Sequence, residues 1–406
     1  MVKKNALRVI LICSLALVSS LVLTDCGSQK NEKKPLVKIA WIGPLTGGNA
    51  GIGNGGRNSF QLALKQANAD PASKYTYDGM IVDDECVAEV AVQAALKAAS
   101  NPQVAASVSH YCSVAAIATV DTFHEKGLPS IVWGAILPSI TYGNDYPEVF
   151  RINGTMIQQV EVHAADMKQW GYTTVSIIYD NSEYGQAHRD YFSAAADKAG
   201  LQILSVHGVQ VDQQDFTNEL TIIKGQDPDV VYFGGLSPVG IPLRKQMVKM
   251  GVRSQFDGTS GIKNNSFIEG LGQDAEGCIS YLEGAPLEEL PGGKEFIKAY
   301  EEAGYVGSAE AYGPFAYTAA RLIVAAVEKV GPERDKITEE LATTNVVETL
   351  IGKVTFDEYG QNIVPLVTAY VSENGQWVPL NESSYRTGGS KILPGILFMK
   401  EKGRLP

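Results

Sequence analysis

The sequence predicts an α/β protein built as two doubly wound lobes with parallel sheets, and three observations carry that reading. From Pro35 onward, continuous apolar runs of strand length alternate with amphipathic helical segments, a pattern that places parallel strands between layers of helix. The alternation restarts near Met156. No stretch rich in glycine, serine or proline separates the halves, so the lobes are expected to share short crossings rather than a flexible linker.

The first strand is Leu36–Gly43 (LVKIAWIG). A helix follows in GRNSFQLALKQANAD, where Phe60, Ala63, Leu64 and Ala67 recur at the i, i+3, i+4, i+7 spacing of one helical face. YDGMIVDD, VAASVS and PSIVWG read as strands, separated by the helical segments VAEVAVQAALKAAS and VAAIATVDTFHEKG. In the second half MIQQVEVHAADMKQWG, SEYGQAHRDYFSAAADKAG, FTNELTIIKGQ and PLRKQMVKMG read as helices. TTVSIIYD, LQILSV, DVVYFGG and the short SQFDG are the strands between and after them. Two further helices are GGKEFIKAYEEAG and AEAYGPFAYTAARLIVAAVEKVG, and VPLVTAYVSENGQWVPL reads as a terminal hairpin. After Asn381 the chain is expected to be an irregular surface tail, 381–406.

A chain of 406 residues is long enough for two sizeable cores. Its net charge of −11 argues against nucleic acid as a partner, because no basic surface is available to dominate phosphate binding. A solvated acidic exterior accounts for the charge. The N-terminus reads as an export signal, 1–26: Lys3, Lys4 and Arg8 precede an apolar run from Val9 to Leu23, which is of signal length and short for a membrane span. LTDCGS then resembles a bacterial lipoprotein box, with Cys26 as the lipid anchor and Asp25 as a departure from the small residue usual there. The polar segment 27–35 reads as a tether. The expected location is outside the cytoplasmic membrane, periplasmic or anchored to its outer side.

Cys86, Cys112 and Cys278 remain in the body. An exported protein meets an oxidising compartment, where a disulfide persists. Cys86 and Cys112 each lie just past a strand end on the same side of one sheet, and can meet if those strands are neighbours; two buried free thiols are the alternative. Cys278, in GCISYL, reads as a buried strand cysteine without a partner.

Catalytic signatures are missing. GIGNGG, Gly51–Gly56, matches a dinucleotide fingerprint, but the eight residues from Gly43 to Ala50 stand where the strand should lead directly into it. A flexible glycine-rich loop at a cleft edge is the better reading. There is no HExxH or CxxC, the five histidines are scattered, and GTSG lacks one position of a nucleophile elbow. No catalytic residue, metal ligand or cofactor is assigned, and the chain reads as a binding protein. Ser113, in HYCSVAA, falls where a strand hands over to a helix. Ligands of open α/β sheets bind at that edge, and a helix start suits a carboxylate. An ordinary N-cap is the competing account of Ser113.

Five segments taken together, VDDECVAEVAVQAALK, SHYCSVAA, YDNSEYGQ, DVVYFGGLSP and EAYGPFAYTAA, resemble the leucine/isoleucine/valine-binding protein family, the type I periplasmic binding proteins of ABC importers. The resemblance runs from about Val37 to about Val378. It implies two α/β lobes joined by a three-strand hinge, with lobe 1 formed by 36–153 and 284–361 and lobe 2 by 154–283 and 362–380. It also implies a Cys86–Cys112 disulfide and a ligand clamped between the lobes. Carried over, the carboxylate anchor falls on Ser113 and the carbonyl that receives an ammonium on Gly134. The tyrosine closing from the other lobe falls on Tyr184, and an aromatic wall position on Tyr312.

The departures point at the ligand. The family's threonine is Ile136, its acidic ammonium partner is Ser260, and two aromatic positions are Leu236 and Ile52. A buried ammonium without a counter-charge costs several kcal/mol. The altered pocket, with Trp133, Ala135, Ile136, Leu236, Tyr184 and Tyr312, suits a carboxylate with an apolar or aromatic body. Lys263 and Arg57 lie near the implied cleft, with surface solvation as their plainer role. The expected function is capture of an amino acid or other small carboxylate by a monomer that delivers it to an ABC permease. A sensing module on the same fold is the alternative, and an exported hydrolase a weaker one.

Overall fold

The computed structural model describes residues 33–363, 366–386 and 389–405. The export signal, Cys26 and the first part of the tether lie outside the described residues. Among those described, no helix is long and apolar enough to cross a membrane.

The first sheet is built from β1 (Leu36–Gly43), β2 (Thr76–Asp83), β3 (Val104–Ser109), β4 (Ser130–Val132) and β5 (Val149–Arg151). Its order is β2-β1-β3-β4-β5 and every pair is parallel. Its core gathers Ile39, Trp41, Val108 and Ile131 from the strands. Phe60 and Leu64 join from the helix Ala50–Ala69, and Phe315, Ile323 and Val327 from the helix Gly313–Val330. The second sheet takes β6 (Thr174–Asp180), β7 (Gln202–Val209), β8 (Val230–Gly234), β9 (Gln255–Gly258) and β10 (Ile279–Glu283). After a small hairpin, β11 (Val347–Thr349) with β12 (Gly352–Val354), the chain returns to add β13 (Val367–Glu373) and β14 (Gln376–Pro379). The order is β14-β13-β10-β9-β8-β6-β7, parallel from β10 to β7 and antiparallel at the β13–β14 edge. The expected terminal hairpin is this edge, turned at Asn374-Gly375.

The chain passes between the sheets after β5, after β10 and before β13. The first and third passages lie side by side: Arg151 N–H donates to Gly360 O at 2.8 Å and Asn362 N–H to Arg151 O at 2.9 Å. The second joins them where Gly284 N–H donates to Leu366 O at 2.8 Å. Arg151 is fully buried here, donating to Gln361 Oε1, Leu137 O and Thr141 Oγ1. Burial lowers its guanidinium to about 9.

Four expectations are corrected. GIGNGG is not a loop; it lies within the helix Ala50–Ala69. Its glycines permit close packing: a Cβ on Gly56 would sit 2.7 Å from the Trp133 ring. Ile52 is thus a lobe-core residue and not a cleft residue. VAAIATVDTFHEKG divides into two short helices, Ser113–Ile117 and Val120–Glu125. The break falls at Thr119, whose hydroxyl bonds back to the carbonyls of Ala115 and Ala116, both at 3.0 Å. The tail is not irregular throughout, because Pro394–Glu401 is a helix that buries Phe398 and Met399, with Leu393 buried just before it.

Candidate ligand-binding cleft

The carboxyl ends of both parallel sheets meet at one cavity of about 520 Å³. The loops after β1, β2, β3 and β4 form one wall, and those after β6, β7, β8 and β9 the other. This is the edge at which open α/β sheets take ligands. Of the expected site residues, Ser113, Gly134, Ile136, Tyr184, Leu236, Ser260 and Tyr312 line the cavity. Trp133 and Ala135 do not. Trp133 lies in the lobe core, its Nε1 donating to Ile42 O at 3.2 Å and its ring beside Trp41 and Tyr111. Arg57 instead donates to Asn58 Oδ1, and Lys263 sits 4.0 Å over the Tyr370 ring on the wall of a different cavity.

Ser113 is the first residue of its helix; Cys112 occupies the cap position and makes no side-chain capping bond. The Ser113 hydroxyl is buried without a hydrogen-bond partner, so capping does not explain it. The hydroxyls of Tyr111 and Tyr184 are likewise buried and unpartnered. Tyr184 OH lies toward Thr259, Ser260 and the Gly261 backbone but forms no bond of good geometry to them. Burial raises Tyr111, Tyr184 and Tyr312 above the usual phenol range, so all three keep their protons at neutral pH. Buried hydroxyls seldom go unsatisfied, and three facing one cavity are a ready set of donors for ligand oxygens. Opposite in sign, the Gly134 carbonyl accepts from Asn153 Nδ2 at 3.0 Å and has a second lone pair to offer.

A double brace fixes the Ser113 corner. Cys86 and Cys112 form a disulfide with their Cα atoms 5.4 Å apart. Their strands are not neighbours, since β1 lies between β2 and β3; the two loops meet over the end of β1. Beside the disulfide, Asp84 accepts from Cys86 N–H at 2.9 Å through Oδ1 and lies 2.8 Å from His110 Nδ1 through Oδ2. His110 Nε2 lies 3.0 Å from the Thr119 hydroxyl. The spacing is that of an acid–base–nucleophile relay, but all three side chains are fully buried and none lines the cavity. Their role is to position the loops.

On the opposite wall, Asp180 ends β6. Its Oδ1 accepts from the Ser182 hydroxyl and backbone, and its Oδ2 from Leu236 N–H at 3.3 Å. Burial raises its carboxyl above the usual range. Ser182 in turn caps the helix Glu183–Ala199 by accepting from Gly185 N–H at 3.0 Å, which sets Tyr184 at the cavity. Among the described residues, Glu85, Glu89 and Asp180 line the cavity and no lysine or arginine does. Tyr184 packs in one apolar cluster with Ile136, and Leu236 packs against it, so the two walls are in contact.

Sequence reasoning missed Tyr111, Asp180 and Glu283. The first two stand in segments already singled out, beside Cys112 and in YDNSEYGQ. Glu283 is fully buried behind the cavity wall. It accepts from Gln159 Nε2 at 2.8 Å and from the Tyr312 hydroxyl at 3.4 Å, while Gln159 Oε1 accepts from Ser260 N–H at 3.3 Å. No local pattern marks it, because these partners come from distant segments. No group of three His, Cys, Asp or Glu side chains among the described residues is placed to hold a metal ion.

Two α/β lobes that close on a shared cleft define a ligand-clamping protein. The chain belongs to the periplasmic binding protein family, whose sequence profile matches residues 36–376. Within that family it is similar to the leucine/isoleucine/valine-binding proteins. A leucine-, isoleucine-, valine-, threonine-, and alanine-binding protein of Pseudomonas aeruginosa is 28% identical over 326 residues, 80% of this chain and 86% of that protein. The crystal structure of a leucine-binding protein from Thermotoga maritima has a TM-score of 0.78 at 24% identity, covering 84% of this chain and 97% of that one. An ABC-transporter solute-binding protein from R. palustris, in complex with benzoate, has a TM-score of 0.77 at 18% identity, covering 85% and 95%.

Proposed function

We propose that this chain is the exported solute-binding subunit of an ABC importer, and that it captures a small amino acid with an apolar side chain between its lobes. It acts by binding and hinge closure rather than by turnover, and hands the closed form to a membrane permease. The observation that carries the reading is the set of unpartnered hydroxyls: Ser113 and Tyr111 on one wall and Tyr184 on the other. A carboxylate between them satisfies both lobes at once, and only a ligand that binds the closed state better than the open one drives closure. The volume fits a small molecule. Ile136, Leu236 and Val239 supply an apolar lining. An acidic wall without a lysine or arginine favours a zwitterion over a bare anion. Relatives that bind branched-chain amino acids support the same choice.

The test is thermal shift on the body from Lys33, stripped of ligand by partial unfolding and dialysis. The panel holds leucine, isoleucine, valine, polar amino acids, 2-oxo acids and aromatic carboxylates. A ligand at a hundred times its dissociation constant adds about 2.7 kcal/mol. Apolar amino acids are expected to give the largest shift. Ser113→Ala should weaken that binding roughly tenfold, by loss of one bond to a charged group, and leave the ligand-free melt in place. A panel without any shift would sink the reading.

A further inference from the structure

We propose that Glu283 and Tyr312 form an adaptable subsite of the cleft, in which the charge on Glu283 decides whether Tyr312 offers the ligand an acceptor or a donor. The proposal rests on the solute-binding reading above and deepens it. Ser260, just after β9, lines the cavity with an uncharged side chain. The hydroxyl of Tyr312 lies between Ser260 and Glu283, donating to Glu283 Oε2 at 3.4 Å. With Glu283 ionised, the Tyr312 proton points at the carboxylate, and its oxygen lone pair faces the cleft as an acceptor for an ammonium. With Glu283 protonated, the carboxyl donates to the Tyr312 oxygen, and the phenolic O–H turns to the cleft as a donor. The proton that separates the two states is exchanged with solvent.

The surroundings allow both states. Burial pushes the Glu283 carboxyl up to about 7. Its neighbours come from every side: Arg151 from β5 is the cation acting on it, and Gln159 from the helix Met156–Gln169 donates to it. Tyr312 donates to it, and it acts in turn on the hydroxyls of Tyr111 and Tyr184. Its outer side edges a second cavity that also holds Lys263, Glu288 and Glu310. A zwitterion brings an ammonium that stabilises the ionised form. A carboxylate lacking an ammonium adds only negative charge and stabilises the protonated form. The subsite therefore supplies, from the hinge, a counter-charge that the uncharged Ser260 side chain does not.

The experiment is calorimetric titration near pH 7 in buffers of different ionisation heat, with leucine and benzoate as probes, on wild type, Glu283→Gln and Tyr312→Phe. Leucine is expected to release protons from wild type and benzoate to take them up. Glu283→Gln should abolish both exchanges and shift the leucine-to-benzoate affinity ratio by about tenfold toward benzoate. Tyr312→Phe keeps the ring's shape and should also remove the opposite signs. Proton exchange of one sign for both probes, or exchange unchanged in Glu283→Gln, overturns the proposal. Infrared difference spectra of ligand-free wild type provide a readout independent of either probe: a carboxylic C=O band should titrate near pH 7 and vanish in Glu283→Gln. If neither probe nor any panel member binds, the solute-binding reading fails; if the band is missing, the subsite fails by itself.

Discussion

A second fully buried charge-capable pair, besides His110 with Asp84, is His163 with Asp257, beneath the second sheet's cleft edge. Their Nδ1 and Oδ1 atoms lie 3.2 Å apart, both side chains are fully buried, and neither forms a hydrogen bond of good geometry. The His163 ring packs on Tyr281 at 3.7 Å between centroids. Burial pushes Asp257 well above its ordinary 3.8 and His163 down to about 3 from 6.5, so burial favours the neutral form of each. Folded Asp257 keeps a proton that the unfolded chain releases above about 4, so its contribution turns against folding as pH rises. Folded His163 refuses a proton that the unfolded chain takes up below 6.5, so its contribution turns against folding as pH falls toward 3. Asp257→Asn should therefore raise the melting temperature at pH 8, by roughly 2 °C for each kcal/mol relieved, and change little at pH 4. Melts at both pH values check it; an equal effect at the two would contradict the assigned protonation. At this scale Ser113 was legible from its place where a strand hands over to a helix, and Tyr184 from the resemblance carried by YDNSEYGQ. The sequence could not mark Asp257 or Glu283, whose behaviour comes from burial among residues far apart in the chain.

At the scale of elements, the disulfide and the Asp84–His110 contact brace the same two loops in parallel. Closing a loop of 26 residues stabilises by about 3 kcal/mol in the chain-entropy model. Cys86→Ala with Cys112→Ala should lower the melting temperature and weaken ligand binding, yet leave a folded protein, because the carboxylate–imidazole contact still joins the loops. A melt insensitive to both the substitutions and to reductant would show that the bridge adds nothing. Helices with a clean apolar period, such as Gly313–Val330, were legible at once. The two short helices flanking Thr119 were read as one, because the break depends on a hydroxyl bonding back to its own turn. Pro394–Glu401 escaped because its buried face is only one turn wide and is paid for by contacts with the second sheet rather than by its own sequence.

For the whole molecule, the proposed closure calls for a small residue where the lobes meet. A Cβ on Gly48, in the first lobe, would stand 2.6 Å from Cγ of Pro238, in the second. Gly48→Val should prop the cleft open and weaken leucine binding about tenfold, in proportion to the lost closed population, with the ligand-free melt unaltered. Small-angle scattering would show ligand-induced contraction in wild type and less of it in the variant; equal contraction would place the closing contact elsewhere. The two-lobe plan was legible because a restarted strand–helix alternation is a long-range signal. The β13–β14 hairpin was legible as a hairpin too, but its place on the second sheet came from the resemblance, since pairing with a distant strand leaves no mark in local periodicity.

The triple passage between the sheets also sets an order of assembly. The first lobe's core is completed by Phe315, Ile323, Val327, Ile337 and Leu341, which are made only after the whole run of β6 to β10. A nascent chain that ends at Glu283 carries an unsealed apolar face on the helix Ala50–Ala69 and the first sheet. Such a topology, rich in distant contacts, folds slowly and late. Vectorial synthesis thus seals the first lobe last, although its strands are made first.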